Sequence, residues 1–214
     1  MILLIMGLPG TGKTTIARYV ARRLQADILT TDLFRKALFE HTTIEEIMRV
    51  KDPLRYDLQE IFDRQPEYKV SKRIQQLIEK QRDLVYDALF ERLRELVRKG
   101  KTVVLDGTFF KRELRERAYS IAKETESPFY VINCECPEEV IAQRMDRRKK
   151  RPDAASYVDK MKIYYIVKKH FESPIEDGVP LIIANTYTSQ ITEYNIDHQN
   201  SQANQLIEIL KKRR

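Results

Sequence analysis

The chain has 214 residues, 42% hydrophobic and 33% charged, with a net charge of +7 and a pI near 9.3. That length allows one moderate domain with a core of its own, and a mean hydropathy of −0.52 argues for a soluble chain rather than one built for the bilayer. The positive balance suits anionic ligands such as nucleotides, phosphorylated metabolites or RNA, although four of the charges form the terminal run Lys211, Lys212, Arg213 and Arg214, which solvation alone would explain.

The first predicted element is a strand over Ile2–Met6. No Lys or Arg precedes it and it stops at Gly7, so it lacks the flank and length of a secretory signal. It also falls far short of the about 20 apolar residues of a membrane span. A short unbroken apolar run is the mark of a strand buried on both faces. The next stretch, GLPGTGKTT, matches G-x-x-x-x-G-K-[ST] at Gly7, Gly12, Lys13 and Thr14. Such glycines let backbone N–H groups curl around phosphate oxygens. The lysine adds a point charge on the outer phosphates, and the threonine hydroxyl coordinates Mg2+. The helix expected next (Ile16, Val20 and Leu24, with Ala17 and Ala21) brings its positive dipole end to the same place. Context argues against a chance match, since a strand precedes the motif and a helical period succeeds it. Gly7, Pro9, Gly10, Thr11, Gly12, Lys13, Thr14 and Thr15 are therefore the expected cofactor-binding residues, for ATP with Mg2+.

Further apolar runs predict strands over Asp27–Thr31, Thr102–Leu105, Phe129–Asn133 and Leu181–Ala184. Residues 40–70, with Pro53 and Pro66, read as an irregular helical insertion. A long helix comes next, marked by Ile74, Leu77, Ile78, Leu84, Val85, Ala88, Leu89, Leu93 and Leu96 and closed by Lys99-Gly100. A shorter helix spans Glu113–Glu124, and Pro137 opens another that carries Arg144, Arg147 and Arg148. Pro152 to Ala155 predicts a flexible stretch, with a second helix from about Ser156. Residues 185–200 are polar with weak strand character, and Ser201 is the expected cap of a terminal helix. Strands alternating with helices predict an α/β fold of three layers: five parallel strands, helices on both faces, and ligands outside the carboxyl ends of the strands. One domain, 1–214, accounts for the chain, with a helical acceptor-side insertion at 40–99 and a lid at about 144–165.

Two acidic residues stand at strand ends. Asp106 follows an apolar strand and is placed to hold the metal together with Thr14; as part of Asp-Gly it also suits a turn. Asp32 is placed to orient or deprotonate an acceptor hydroxyl, with Arg35 one turn on to hold an anionic acceptor; the alternative is a helix N-cap. Phosphoryl transfer needs charge neutralisation on the moving group and a carboxylate near the attacking oxygen. The arginines at 144–148 suit a lid that closes over phosphates and excludes water, against the alternative of a solvated helix face. Cys134 and Cys136 lack the partners of a metal or redox motif and read as reduced and packed, which places the chain in the cytoplasm. His41, His170 and His198 are scattered.

GLPGTGKTT, TTDLFRKAL, VVLDGTFFKRELRERAYSIAK and INCECPEEVIAQRMDRRKK together resemble the P-loop kinases of the adenylate-kinase-like superfold. Within it the chain is similar to a small kinase group near the polynucleotide 5'-hydroxyl kinases, seryl-tRNA(Sec) kinases, adenylylsulfate kinases and gluconate kinases. The resemblance covers about residues 1–175. It implies Asp32 as the hydroxyl-activating carboxylate, Arg35, Thr108 and Arg112 on the acceptor, Asp106 on the metal, and Arg144 with Arg147 or Arg148 in the lid. The implied catalytic set is Lys13, Asp32, Arg144 and Arg148. The implied activity is ATP- and Mg2+-dependent phosphorylation of a hydroxyl on an anionic acceptor, a nucleic acid end, a tRNA-linked group or a small metabolite. Two other classes stay open: a nucleotide-driven switch acting on a partner protein, and an RNA-binding module in which Tyr157, Tyr164 and Tyr165 would be surface aromatics.

Overall fold

The apolar runs pair side by side in one sheet. A computed structural model describes residues 1–39, 72–149 and 161–213. The elements in chain order are β1 (Ile2–Met6), α1 (Lys13–Leu24), β2 (Asp27–Thr30), α2 (Thr31–Phe39), α3 (Lys72–Arg98), β3 (Val103–Asp106), α4 (Arg112–Glu124), β4 (Phe129–Glu135), α5 (Glu138–Lys149), α6 (Met161–Lys169), a short 3-10 turn (Pro174–Asp177), β5 (Leu181–Asn185), β6 (Ile191–Tyr194) and α7 (Ser201–Lys211). The strand order is β2-β3-β1-β4-β5-β6. The first five are parallel; β6 runs antiparallel to β5.

The sixth strand corrects the expectation of five parallel strands. Ile191–Tyr194 returns along β5 after a turn held by Asn185, whose side-chain oxygen accepts from the Tyr187 and Thr188 amides at 2.9 and 3.0 Å. Ile191 packs against one layer and Tyr194 against the other. An edge strand needs little more apolar surface than that, so its pattern is weak.

Each strand of the sheet's centre is buried on both faces. Ile2, Leu4 and Met6 of β1 meet α3 and α4 through Leu89, Phe90, Leu93, Leu114, Ala118 and Ile121. Leu3 and Ile5 meet α1 and α7 through Ile16, Val20, Leu206 and Leu210. This explains the unbroken apolar run that opens the chain. Burying each such side chain is worth about 1.5–3 kcal/mol.

Two details differ from the sequence pattern. On α3 the buried face holds Val85, Tyr86, Leu89, Phe90, Leu93, Leu96 and Val97, while Leu84 is exposed. The face turns because Tyr86 and Phe90 pack with Phe109, the Tyr86 and Phe109 rings meeting edge-to-face at 5.1 Å. The side chains of Ile74, Leu77 and Ile78 and the insertion at 40–70 lie outside the described residues. The cap of α7 is Asn200 rather than Ser201: its side-chain oxygen accepts from the Gln202 and Ala203 amides at 2.9 and 3.3 Å, as N-cap residues do. Among the described residues no helix is long and apolar enough to cross a membrane.

Candidate active site

Between β1 and α1 the chain makes a tight loop. Gly7 has φ +138°, and a Cβ there would lie 2.4 Å from the Cys134 carbonyl oxygen. Gly12 has φ +91°, and a Cβ there would lie 3.3 Å from Arg144 Nη1 and from Thr186 Oγ1. Both positions therefore need glycine. The loop is closed from within, since Thr11 Oγ1 and Lys13 Nζ both donate to the Leu8 carbonyl, at 2.8 and 2.9 Å. Thr11 is only 2% exposed, and its hydroxyl is used inside the loop.

A cleft opens on one side of this loop. It is lined by Pro9, Gly10, Gly12, Lys13 and Thr14, by Thr30, Thr31 and Asp32, and by Asp106, Gly107 and Thr108. Three strand ends bring these together: Asp106 is in register with Ile5 of β1 and with Thr30 of β2. Thr31 Oγ1 ties the β2 end to the Asp106 carbonyl at 3.4 Å. The Asp106 carboxylate is 1% exposed. Asp32 is the second residue of α2, inside its first turn and not before it; an acid there also gains from the helix dipole.

A second cleft shares Gly10 and Gly12 with the first and adds Thr15, Arg144, Arg147, Thr186 and Arg213. Arg144 Nη1 donates to Thr186 Oγ1 at 2.9 Å and to Gly10 O at 3.4 Å, and Nη2 donates to Thr186 O at 3.2 Å. Arg144 thus lines the second cleft, and it is not among the residues lining the cleft of Asp32 and Asp106. The Arg148 side chain lies outside the described residues. Arg35 is half-buried one turn beyond Asp32 and is not among the cleft-lining residues. Arg112 pairs with Glu116 at 2.9 Å and also stands away from the lining. Thr30, Thr31, Gly107, Thr186 and Arg213 line the clefts as well, beyond the residues expected from the sequence. Of these, only Thr30 and Thr31 carry a sequence signal, as the strand end leading into Asp32.

The loop after Asp106 is held by side chains from elsewhere. Phe109 takes φ +43° although it is not glycine. Its amide donates to the Tyr86 hydroxyl at 3.2 Å, and its carbonyl accepts from Arg115 Nη1 at 3.1 Å. Burial pushes the Tyr86 phenol up to about 12, against smaller opposing effects of the Phe109 amide, Arg35 and Arg82. Arg115, 2% exposed, also donates to Glu172 O at 3.0 Å, to Ser173 O at 3.3 Å and to Asp177 through two bonds. Glu172 caps α4 by accepting from the Arg112 amide at 2.6 Å. Arg115→Ala is expected to destabilise the protein by up to about 3–5 kcal/mol, because buried Asp177 loses its nearest partner and keeps, among the described residues, only Arg112 at 3.8 Å. A urea midpoint within experimental error of the wild type would refute this role.

The helices α5 and α6 flank residues 150–160, which lie outside the described residues and with them the middle of the expected lid and Tyr157. Glu138 of α5 accepts from Lys168 Nζ at 2.7 Å and from the Tyr165 hydroxyl at 2.5 Å, and these donors hold its carboxyl below the usual range. Ile141, Met145 and Tyr164 form a small core with Leu8 of the loop. Tyr164 is therefore packed, and Tyr165 is spent on Glu138.

The sequence family described as AAA domain matches residues 2–174. The chain is similar in structure to an inferred kinase from Chloroflexus aurantiacus (TM-score 0.61, 17% identity, covering 98% of this chain and 95% of that one). It is also similar to Kti12 from Chaetomium thermophilum, solved with ADP-AlF3 (0.57, 16%, covering 97% and 96%). A third likeness is to a gluconokinase from Sinorhizobium meliloti 1021 (0.51, 16%, covering 98% and 87%). At these identities the likeness is one of fold, a P-loop kinase-like α/β fold. Uncharacterized proteins of Mycobacterium bovis and Mycobacterium tuberculosis are 28% identical over 145 residues, 68% of this chain. The chain spans about a quarter of the length of these curated relatives, 25%.

Proposed function

The chain belongs to the AAA domain family, and from that premise we propose that it is a kinase moving the γ-phosphoryl group of ATP, with Mg2+, to a hydroxyl of an anionic acceptor. One observation carries this reading: Asp32 and Asp106, from two different strand ends, line the same cleft as Lys13 and Thr14. A nucleotide switch needs the loop and one metal carboxylate. A second carboxylate beside the phosphates is what an attacking hydroxyl requires.

The residues fit the two groups. Gly10, Gly12, Lys13 and Thr14 line the cleft in which a phosphate chain would lie, and a hard cation would find oxygen ligands in Thr14 and Asp106. Among the described residues no three His, Cys, Asp or Glu gather at one point. That suits Mg2+, which takes one or two carboxylates and completes its shell with phosphates and water. Bound Mg-ATP would supply the transferable group and neutralise its charge.

In this reading Lys13 leaves the Leu8 carbonyl for the outer phosphates, Asp32 orients and accepts the proton of the acceptor hydroxyl, and Thr108 steadies the acceptor. Arg35 and Arg112 serve the acceptor only if it extends beyond the cleft. Arg144 acts on the nucleotide, and Arg147 and Arg148 close over the phosphates. Both cysteines are free, and burial pushes the Cys134 thiol up to about 12. That neither thiol is in a disulfide supports the cytoplasm as the place of action.

The test is an acceptor screen with labelled ATP over tRNA, 5'-hydroxyl oligonucleotides, sugar acids, adenylylsulfate and nucleoside monophosphates. Label in none of these classes would overturn the proposal. If RNA is the acceptor, its binding should weaken steeply with salt, with a slope set by the phosphates neutralised. Turnover on a small metabolite that ignores salt selects the metabolite branch instead.

A further inference from the structure

Thr186, in the turn after β5, uses every polar atom it has on the nucleotide loop and its neighbours. Its amide donates to Glu135 O at the end of β4, at 2.8 Å. Its hydroxyl donates to Thr11 O at 2.6 Å and accepts from Arg144 Nη1 at 2.9 Å. Its carbonyl accepts from Arg144 Nη2 at 3.2 Å. A hydroxyl has one proton and two acceptor sites, so this one oxygen links the P-loop backbone to the arginine while the amide anchors both to the sheet. Gly12 permits the approach, because a Cβ there would come within 3.3 Å of both Thr186 Oγ1 and Arg144 Nη1.

We infer that Thr186 is a positioning residue of the nucleotide site, locking the Thr11–Gly12 backbone and aiming the Arg144 guanidinium into the second cleft. The inference rests on the nucleotide-binding half of the proposed function and not on the identity of the acceptor. Arg144 is a long side chain that would otherwise sample many rotamers. Gripped at two nitrogens by Thr186 and by Gly10 O, it lines the second cleft beside Arg147 and Arg213. An arginine held in this way loses less freedom on binding than one left loose. Arg144 is thereby tied to the nucleotide loop itself.

The experiment compares the full chain with Thr186→Val and Thr186→Ser, titrated with a fluorescent ADP analogue and Mg2+. A second readout is amide hydrogen exchange of the nucleotide-free proteins. Thr186→Val keeps the shape and removes the hydroxyl, so nucleotide binding should weaken by about tenfold, the scale of one or two hydrogen bonds. Thr186→Ser, which keeps the hydroxyl, should restore binding to within about twofold of the wild type. Exchange should rise at Thr11–Gly12 in Thr186→Val while the β1 and β4 amides stay protected. Combining Thr186→Val with Arg144→Gln should weaken binding by less than the product of the two single effects.

Wild-type affinity in Thr186→Val, or a Ser variant as weak as Val, overturns the inference. So does a rise in exchange spread evenly through the sheet, which would mark a general structural role. A wild-type chain that binds the ADP analogue yet phosphorylates no acceptor overturns the kinase reading alone and leaves this one standing.

Discussion

Alanine at Lys13 is expected to abolish phosphoryl transfer while the protein stays folded. The Lys13 ammonium donates to Leu8 O at 2.9 Å from a half-exposed position. Losing one such bond costs at most about 1.5–3 kcal/mol and less where water takes over the carbonyl. The rate depends on the ammonium differently. Charge develops on the phosphoryl oxygens in the transition state, and removing a preorganised group aimed at such charge costs about 100–1000-fold for a single hydrogen-bond donor. A full positive charge should cost more. Turnover and a urea midpoint measured on the same preparation settle it: a folded variant with wild-type turnover would remove the P-loop from the mechanism.

The second large effect separates the two carboxylates. Asp32→Asn should cut transfer by about 100-fold or more, the usual scale of losing a general base, with Mg-ATP affinity almost unchanged. Its effect on stability should be small, since an acid in the first turn of a helix contributes about 0.3–1 kcal/mol through the dipole. Asp106→Asn should instead raise the Mg2+ concentration needed for activity, because Asp106 ends the strand beside the loop that carries Thr14. Some activity can survive Asp32→Asn, as phosphoryl transfer is loose and relies mostly on positioning. The comparison is a Mg2+ titration of both variants at saturating ATP. Rescue of Asp32→Asn by excess Mg2+, with none for Asp106→Asn, would reverse the roles.

Lys13 and the two aspartates were legible because each sits next to a pattern with its own physical cause. A parallel strand buried on both faces must be apolar throughout, so the residue where that run stops marks a carboxyl end, and ligands gather there. The same logic failed where the cause was not local. Tyr86 and Phe90 turn the buried face of α3 only because Phe109 lies under them. Arg115 reads as one more cation on a charged helix. Only packing shows it sealed at 2% exposure among Phe109, Glu172, Ser173 and Asp177.

The sequence by itself determined the α/β class, the strand that opens the chain, the phosphate loop and the identity of two strand-end carboxylates. Each of these comes from neighbours within a few residues, through periodicity, glycine spacing or the end of an apolar run. The tertiary structure alone decided which strand ends lie side by side, that β6 closes the sheet antiparallel, and that Arg144 lines the second cleft and not the cleft of the carboxylates. Thr186 shows the reason most plainly. It is 175 residues from Thr11 and 42 from Arg144 along the chain, and a single threonine in a polar stretch carries no mark of the contacts that folding gives it. Such contacts arise from strand order, which many local patterns permit and only the packed sheet selects.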